Sequence, residues 1–376
     1  MLTDINNINF SNFTLISKDN YIVWLKNANR YIVLDSKIFN LLNIKFELSH
    51  NDFLIEICKV LNIDSITAEK INIDIEQLLL ESNQIYSKKE ESPSQTLIDC
   101  KIIHFYSFNN IIIKVSFDSE DTKNLIHPKY KHLEVFNPKS FDINYNLFKK
   151  KYRIYIFKAK QLLGSWDDSE MHEFQGKFSM EFLCSTYNKN EHDWMGVFHA
   201  STISKNNQSI MFTGDSGNGK STLVSILMAK GYNVISDDFT PILREDLKTY
   251  CFPTAISIKE KSFDMIESMH PEIADFKEYY INELKGNIKY LPPITNKINA
   301  SCNSVVWVKY SKGSDNNLEK ISKASALQKF LPEAWISNQE INAKAFMNWI
   351  VETRFYELNY SDNNELPSLI DRFFVD

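Results

Sequence analysis

The chain has 376 residues, 43% of them hydrophobic and 13% aromatic, a composition that fills packed cores and excludes intrinsic disorder. Its formal net charge is −6 with no long basic run, which excludes a chain that works mainly by gripping nucleic acid, so no nucleic-acid partner is expected. No stretch approaches the ~18 apolar residues of a membrane span, and the start MLTDINNINFSNF lacks the basic and apolar regions of a secretory signal.

Five cysteines, Cys58, Cys100, Cys184, Cys251 and Cys302, are far apart and form no CxxC. Reduced thiols in a cytoplasmic protein are therefore expected, with no membrane partner. At ~100–200 residues per domain the length predicts two or three domains.

In chain order, residues 1–86 form the first predicted unit. YIVWL (21–25) and RYIVLD (30–35) are β-rich runs joined by Lys26-Asn27-Ala28-Asn29, a segment of hairpin length. Helical patterns follow. Ser36 is the expected cap of a short helix through KIFNLL, and Ser49 that of HNDFLIEICKVL, whose Phe53, Ile57 and Leu61 share a face. A third helix is predicted from about Ser65 to Ile85, with Ile71, Ile75, Leu78 and Leu79 at helical spacing.

Residues 87–97, polar and containing Pro93, are predicted as a linker. IIHFYSF, IIIKVSF and RIYIFKA make 98–200 a mainly β portion. Residues 208–376 change to strand, glycine loop, helix and strand, and end with helical patterns over 323–355, the signature of an α/β sheet.

Glycine is scarce. Average usage of ~7% would give about 26, yet there are nine, none before Gly164, and four of them (Gly214, Gly217, Gly219, Gly231) lie close together. That clustering marks a place where backbone approaches a ligand or adopts φ > 0. SIMFT reads as a buried strand, GDSGNGKS (214–221) fits G-x-x-x-x-G-K-[ST], and 221–230 reads as a helix with Leu223, Ile226 and Leu227 on one face. In this setting backbone N–H groups and the helix dipole cradle phosphates. Gly214, Asp215, Ser216, Gly217, Asn218, Gly219, Lys220, Ser221 and Thr222 are the expected nucleotide-binding residues. Lys220 is expected to reach the β/γ-phosphates, with the Ser221 hydroxyl on Mg²⁺.

Gly231 closes the helix, and YNVIS runs into Asp237-Asp238, only sixteen positions after Ser221. One acid is expected to hold Mg²⁺ and the other to accept the proton of an attacking hydroxyl; which does which is open. Lys259 and Lys289 are the candidate downstream cations for phosphate or substrate. His127 and His132 have no zinc-ligand spacing with any cysteine, so no metal beyond Mg²⁺ is expected. Trp166 and Trp194 read as core or interface residues rather than base-stacking platforms.

GDSGNGKST, the step from Lys220 to Gly231, and GYNVISDD resemble the catalytic domain of the HPr kinase/phosphorylase family, P-loop protein-serine kinases related to phosphoenolpyruvate carboxykinase. GVFHAS supplies His199 where that family has a histidine upstream of the P-loop strand. The resemblance implies an α/β P-loop kinase domain over 98–376 that uses ATP or another nucleoside triphosphate and Mg²⁺. It also implies catalytic roles for Lys220, Asp237, Asp238 and His199, with Ser221 and one aspartate serving the metal, and a homo-oligomer. Thr222 replaces the family's usual glutamate, and the second glycine- and arginine-containing signature loop has no counterpart, so reverse phosphorolysis is not implied. The order HAS…GxSGxGKST…G…SDD is closer to HPr-kinase-like proteins of peptide-modification systems.

Residues 10–86, by element order, resemble the PqqD-like winged-helix module that binds leader peptides. That implies a small α+β domain over 1–86 that captures a peptide strand on a sheet edge. The expected activity is phosphorylation of a serine on a peptide or small protein. Two alternatives stay open: a kinase for a free amino acid or sugar, and a nucleotide-dependent peptide-binding module without phosphotransfer.

Overall fold

The computed structural model describes residues 12–82, 97–283 and 285–374. Apart from Leu97, the expected linker lies outside the described residues, as do the first eleven residues and the predicted helix end at 83–85.

The N-terminal unit is an antiparallel sheet of β1 (Asn12–Ser17), β2 (Asn20–Leu25) and β3 (Arg30–Asp35), followed by α1 (Ser36–Lys45), α2 (His50–Leu61) and α3 (Ser65–Ser82). Asp35 caps α1 by accepting from the Lys37 N–H, one residue before the expected Ser36. Ser49 caps α2 as read from the sequence. β2 is buried on both faces. Val23 and Leu25 pack with Phe39, Phe53 and Leu79 of the helices, while Ile22 and Trp24 point the other way, into a core with Phe198, Phe346 and Trp349 of the C-terminal half. Side chains alternate along a strand, so two-sided burial explains why YIVWL has no polar position. Each such buried side chain contributes ~1.5–3 kcal/mol.

The middle portion is a five-stranded sheet of β4 (Ile102–Phe108), β5 (Ile111–Phe117), β6 (Ile143–Lys150), β7 (Arg153–Lys158) and β8 (Gln161–Asp167) in sequential order. Between β5 and β6 lie α4 (Glu120–Asn124) and α5 (His127–Tyr130). The mainly β expectation for 98–200 omitted the 17-residue α6 (Met171–Tyr187), whose Phe174, Phe178 and Phe182 repeat every fourth residue and close the sheet's core.

The C-terminal half begins with β9 (Trp194–Phe198), β10 (Ser201–Lys205), β11 (Gln208–Thr213), α7 (Lys220–Ala229), β12 (Asn233–Ser236), β13 (Thr240–Leu243) and β14 (Lys248–Tyr250). A small sheet follows, β15 (Ile256–Lys259), β16 (Tyr279–Tyr280) and β17 (Asn287–Leu291), with α8 (Phe263–Glu267) between its first two strands. The chain continues through β18 (Asn299–Tyr310), β19 (Asn317–Lys320), α9 (Lys323–Phe330), β20 (Ala334–Ile336), α10 (Glu340–Glu352), β21 (Arg354–Tyr360) and α11 (Leu366–Asp371).

Ten of these strands form one mixed sheet in the order β12-β10-β11-β18-β14-β13-β9-β20, with β21 and β19 continuing from β18. β11, β18 and β21 run parallel. Trp194 is fully buried in the core of the five-stranded sheet, with Trp166 partly buried against it. Among the described residues, no helix is long and apolar enough to cross a membrane.

Candidate active site

β11 delivers the glycine loop and α7 leaves it, as the motif requires. Gly219 sits at the head of α7 with φ +90°, and its carbonyl accepts from the Leu223 N–H at 2.8 Å and from the Tyr360 hydroxyl at 3.2 Å. At Gly214 a β-carbon would lie 2.6 Å from the Val308 carbonyl oxygen, so only glycine lets β11 turn into the loop against β18. Asp215, Ser216 and Gly217 form the exposed crest, with Asn218 donating to the Asp215 side chain at 3.3 Å. Lys220 is buried, and its ammonium donates to the Gly214 carbonyl at 2.6 Å across the mouth of the loop. Thr222 is turned toward Ser262, 3.2 Å between hydroxyls.

β10 lies between β11 and β12, antiparallel to both, so the start of β10 meets the ends of the other two. That brings Ser201, the glycine loop and Asp237 to one end of the sheet. The Asp237 carboxylate accepts from Ser221 Oγ at 3.0 Å on each oxygen, from Ser201 Oγ at 2.5 Å and from the Ser257 N–H at 3.2 Å. Burial, and next the neighbouring Asp238 charge, push the Asp237 carboxyl above its ordinary pKa, against the hydrogen bonds that hold it ionised. The Ser221 hydroxyl and Asp237 carboxylate form a hard, all-oxygen donor pair beside the loop, a set that fits Mg²⁺.

Asp238 has a different partner from Asp237, His199 rather than Ser221. It has φ +66°, the left-handed conformation, and its side chain is 43% exposed, with the carboxylate 3.2 Å from Nδ1 of His199. Burial works to raise its pKa, but His199, Lys129, Lys220 and Lys285 outweigh it and hold this carboxyl below its ordinary value. The pair of acids is thus split into a buried hydrogen-bond acceptor and an accessible, ionised carboxylate. His199 is fixed through its backbone, which donates to the Glu333 carbonyl at 2.8 Å, and by Phe198 before it, stacked on Phe330.

The two downstream lysines separate. Ile258 pairs with Lys289 and Lys259 with Ile288, so Lys259 and Lys289 lie on opposite faces of their small sheet. Lys259 lies within the field of Asp238 and Lys220; burial, then the neighbouring lysines, lower its pKa. Lys289 is buried and donates to the Ala274 carbonyl at 3.2 Å, with its ammonium 5.0 Å from the Phe263 ring centre. Its ammonium also lies 3.9 Å from the Glu278 carboxylate, so the structure does not bring Lys289 to the aspartates.

Three residues absent from the sequence reading join the site. Ser201 is the first residue after HA in the HAS motif, yet only the sheet order shows that it reaches Asp237. Lys129, on α5, acts electrostatically on both aspartates, as Lys285 does on Asp238. Lys129 is anchored by its carbonyl, which accepts from the Ala255 N–H at 2.9 Å.

Beside the loop opens a cavity of about 540 Å³, walled in part by Asp215, Asn218, Trp307, Gln328 and Pro332. Gln328 and Pro332 also wall a second cavity of about 530 Å³, whose other walls include Tyr31 and Val33 of β3 and Trp335 of β20. β3 and β20 are each the last strand of their sheets. Two sheet edges therefore border a groove that leads toward the glycine loop.

No family model matches the chain, and no curated protein matches it. Among solved structures, the chain is similar to the Hpr(Ser) kinase/phosphatase from Coxiella burnetii at 13% identity, over 47% of this chain and 93% of that one, with a TM-score of 0.22. A likeness at that score carries no weight for fold or function, which rest on the residues themselves.

Proposed function

We propose that the protein is a nucleoside-triphosphate-dependent kinase that transfers a γ-phosphoryl group to a hydroxyl, preferentially a serine of a peptide or small protein. The observation that carries this reading is the divided acid pair beside the glycine loop: Asp237 on Ser221, Asp238 open to the cleft beside His199. A site that only bound nucleotide would have no use for a second, accessible carboxylate at the phosphate end.

In this reading the loop N–H groups and Lys220 hold the β- and γ-phosphates, and Ser221 and Asp237 hold Mg²⁺. Ser221 and Asp237 are the residues that would hold that ion, whose chemistry would be to neutralise phosphate charge. Asp238 accepts the proton of the acceptor hydroxyl as its oxygen bonds to the γ-phosphorus. The bond from that phosphorus to the β-phosphate oxygen breaks, and the nucleoside diphosphate leaves. His199 orients Asp238, while Lys129, Lys259 and Lys285 add positive charge around the transferring group. Such catalysis is positioning and electrostatics.

A peptide acceptor is favoured over a small molecule by the groove between β3 and β20. An extended chain can pair with a free strand edge, and this groove shares walls with the cavity at the loop. The test is incubation of the full chain with Mg²⁺ and γ-labelled ATP against serine peptides, amino acids and sugars. Label on a peptide, lost in Lys220→Ala, supports the reading. Label on a free amino acid or sugar only would move the acceptor to a small molecule. Nucleotide binding with no transfer to any hydroxyl would sink the kinase reading in favour of a binding module.

A further inference from the structure

A second cluster of chemistry-bearing side chains lies in the middle portion of the chain, apart from the glycine loop. His104 and Tyr106 share one face of β4, two residues apart. His127 opens α5, and Glu134 is bridged to Tyr106 by an isolated antiparallel pairing. Three segments separated by 23 and 7 positions thus bring two imidazoles and a carboxylate together. One donor atom from each of His104, His127 and Glu134 lies within 4.8 Å of the others. Nδ1 of His104 is 2.5 Å from the Glu134 carboxylate, and the two imidazole rings are 4.3 Å apart between centres.

We propose that His104, His127 and Glu134 bind a divalent first-row transition metal, Zn²⁺ before others, at a site separate from the Mg²⁺ of phosphoryl transfer. Two imidazoles and one carboxylate are a three-ligand set for such an ion, whereas Mg²⁺ and Ca²⁺ take oxygen ligands. The outer shell is present as well. The Tyr106 hydroxyl is 2.9 Å from Nδ1 of His127, which fixes that ring and leaves Nε2 for the metal. Metal-bound histidines are commonly oriented in this way through their other nitrogen. Side chains 17% exposed at His104 and 15% at Glu134 leave the cluster mostly shielded from solvent. Spacing to the cysteines does not reveal this cluster, because the partners of His127 are a histidine and a glutamate.

The ion would tie β4, the start of α5 and the segment after α5 into one point. α5 also carries Lys129, two residues beyond His127, toward the two aspartates. The metal would therefore act as a structural pin behind one wall of the catalytic cleft.

The test uses the full chain, free of any purification tag, stripped with a chelator and titrated with Co²⁺ and Zn²⁺ in excess Mg²⁺. One equivalent of Co²⁺ should give the intense visible bands of a four-coordinate site, displaced by one equivalent of Zn²⁺. Zn²⁺ should also raise the melting temperature. His104→Gln and Glu134→Gln should each lower metal affinity at least tenfold, while Lys220→Ala should leave it unchanged. If the wild-type chain binds Co²⁺ without those bands, or takes up no stoichiometric Zn²⁺, the proposal is overturned whether or not the variants fold. Nucleotide binding measured on the same stripped sample keeps this outcome distinct from the fate of the kinase reading.

Discussion

Nδ1 of His199 lies 3.2 Å from Oδ1 of Asp238, and the aspartate makes that approach from a left-handed backbone at φ +66°. A non-glycine residue held there costs of order 1–3 kcal/mol and persists only where the surroundings enforce it. Asp238→Gly should relieve that cost and melt no lower than the wild type, yet lose transfer. Asp238→Asn should lower kcat by roughly 10²–10⁴ while nucleotide affinity stays within a few-fold, the range for removing a general base. Steady-state kinetics and thermal melts on the two variants check both statements. Full activity in Asp238→Asn would remove this residue from the chemistry.

Asp237 is expected to behave differently, because it faces Ser221 and Ser201 rather than the cleft. Asp237→Asn should raise the Mg²⁺ concentration needed for half-maximal activity more than tenfold. Ser201→Ala removes one of the donors that keep this buried carboxylate ionised, and should have a smaller effect in the same direction. A Mg²⁺ titration at fixed nucleotide separates the two.

The glycine loop offers a graded test. Gly214→Ala places a methyl 2.6 Å from the Val308 carbonyl oxygen, a backbone atom that cannot swing aside. Gly217→Ala has nothing within 4 Å, although φ is +94°. Gly217→Ala should therefore lose only ~1–2 kcal/mol of stability from the backbone conformation. Gly214→Ala should lose more, together with nucleotide affinity, as read by denaturant melts and nucleotide titration.

Trp335 is 40% exposed on β20, in the groove that also borders β3. Trp335→Ala should raise the KM for a peptide acceptor several-fold and leave the KM for nucleotide unchanged. Equal loss on a peptide and on free serine would show that the groove does not hold the acceptor.

Four cysteines are buried, and burial pushes the thiols of Cys100 and Cys302 up to about 11 and those of Cys184 and Cys251 up to about 12. A thiolate-directed reagent at neutral pH should modify the native chain at Cys58 alone, and all five only after denaturation.

The grouping of the candidate site is legible in the sequence because its parts are local: Gly214, Lys220, Ser221, Asp237 and Asp238 lie within twenty-five positions, joined by one helix and one strand. Asp35 displaced Ser36 as a cap because either residue type fits, and one position separates them. The residues that were missed come from distant segments. Ser201 reaches Asp237 only because β10 inserts between β11 and β12, an order no spacing reveals. Lys129 acts on the aspartates from α5, which lies between two strands of the separate five-stranded sheet. Helix α6 was overlooked although Phe174, Phe178 and Phe182 carry its period, since the flanking β-branched and aromatic runs dominated the block.

The two-sided burial of β2 ties the N-terminal sheet to the candidate site. Trp24 packs in the same core as Phe198, and the next residue is His199. If a strand docked on β3 favours one packing of that core, the preference is felt where His199 meets Asp238, and linkage makes the effect mutual. Nucleotide on the loop would then change the acceptor's hold on the sheet by the same factor by which the acceptor changes that of nucleotide.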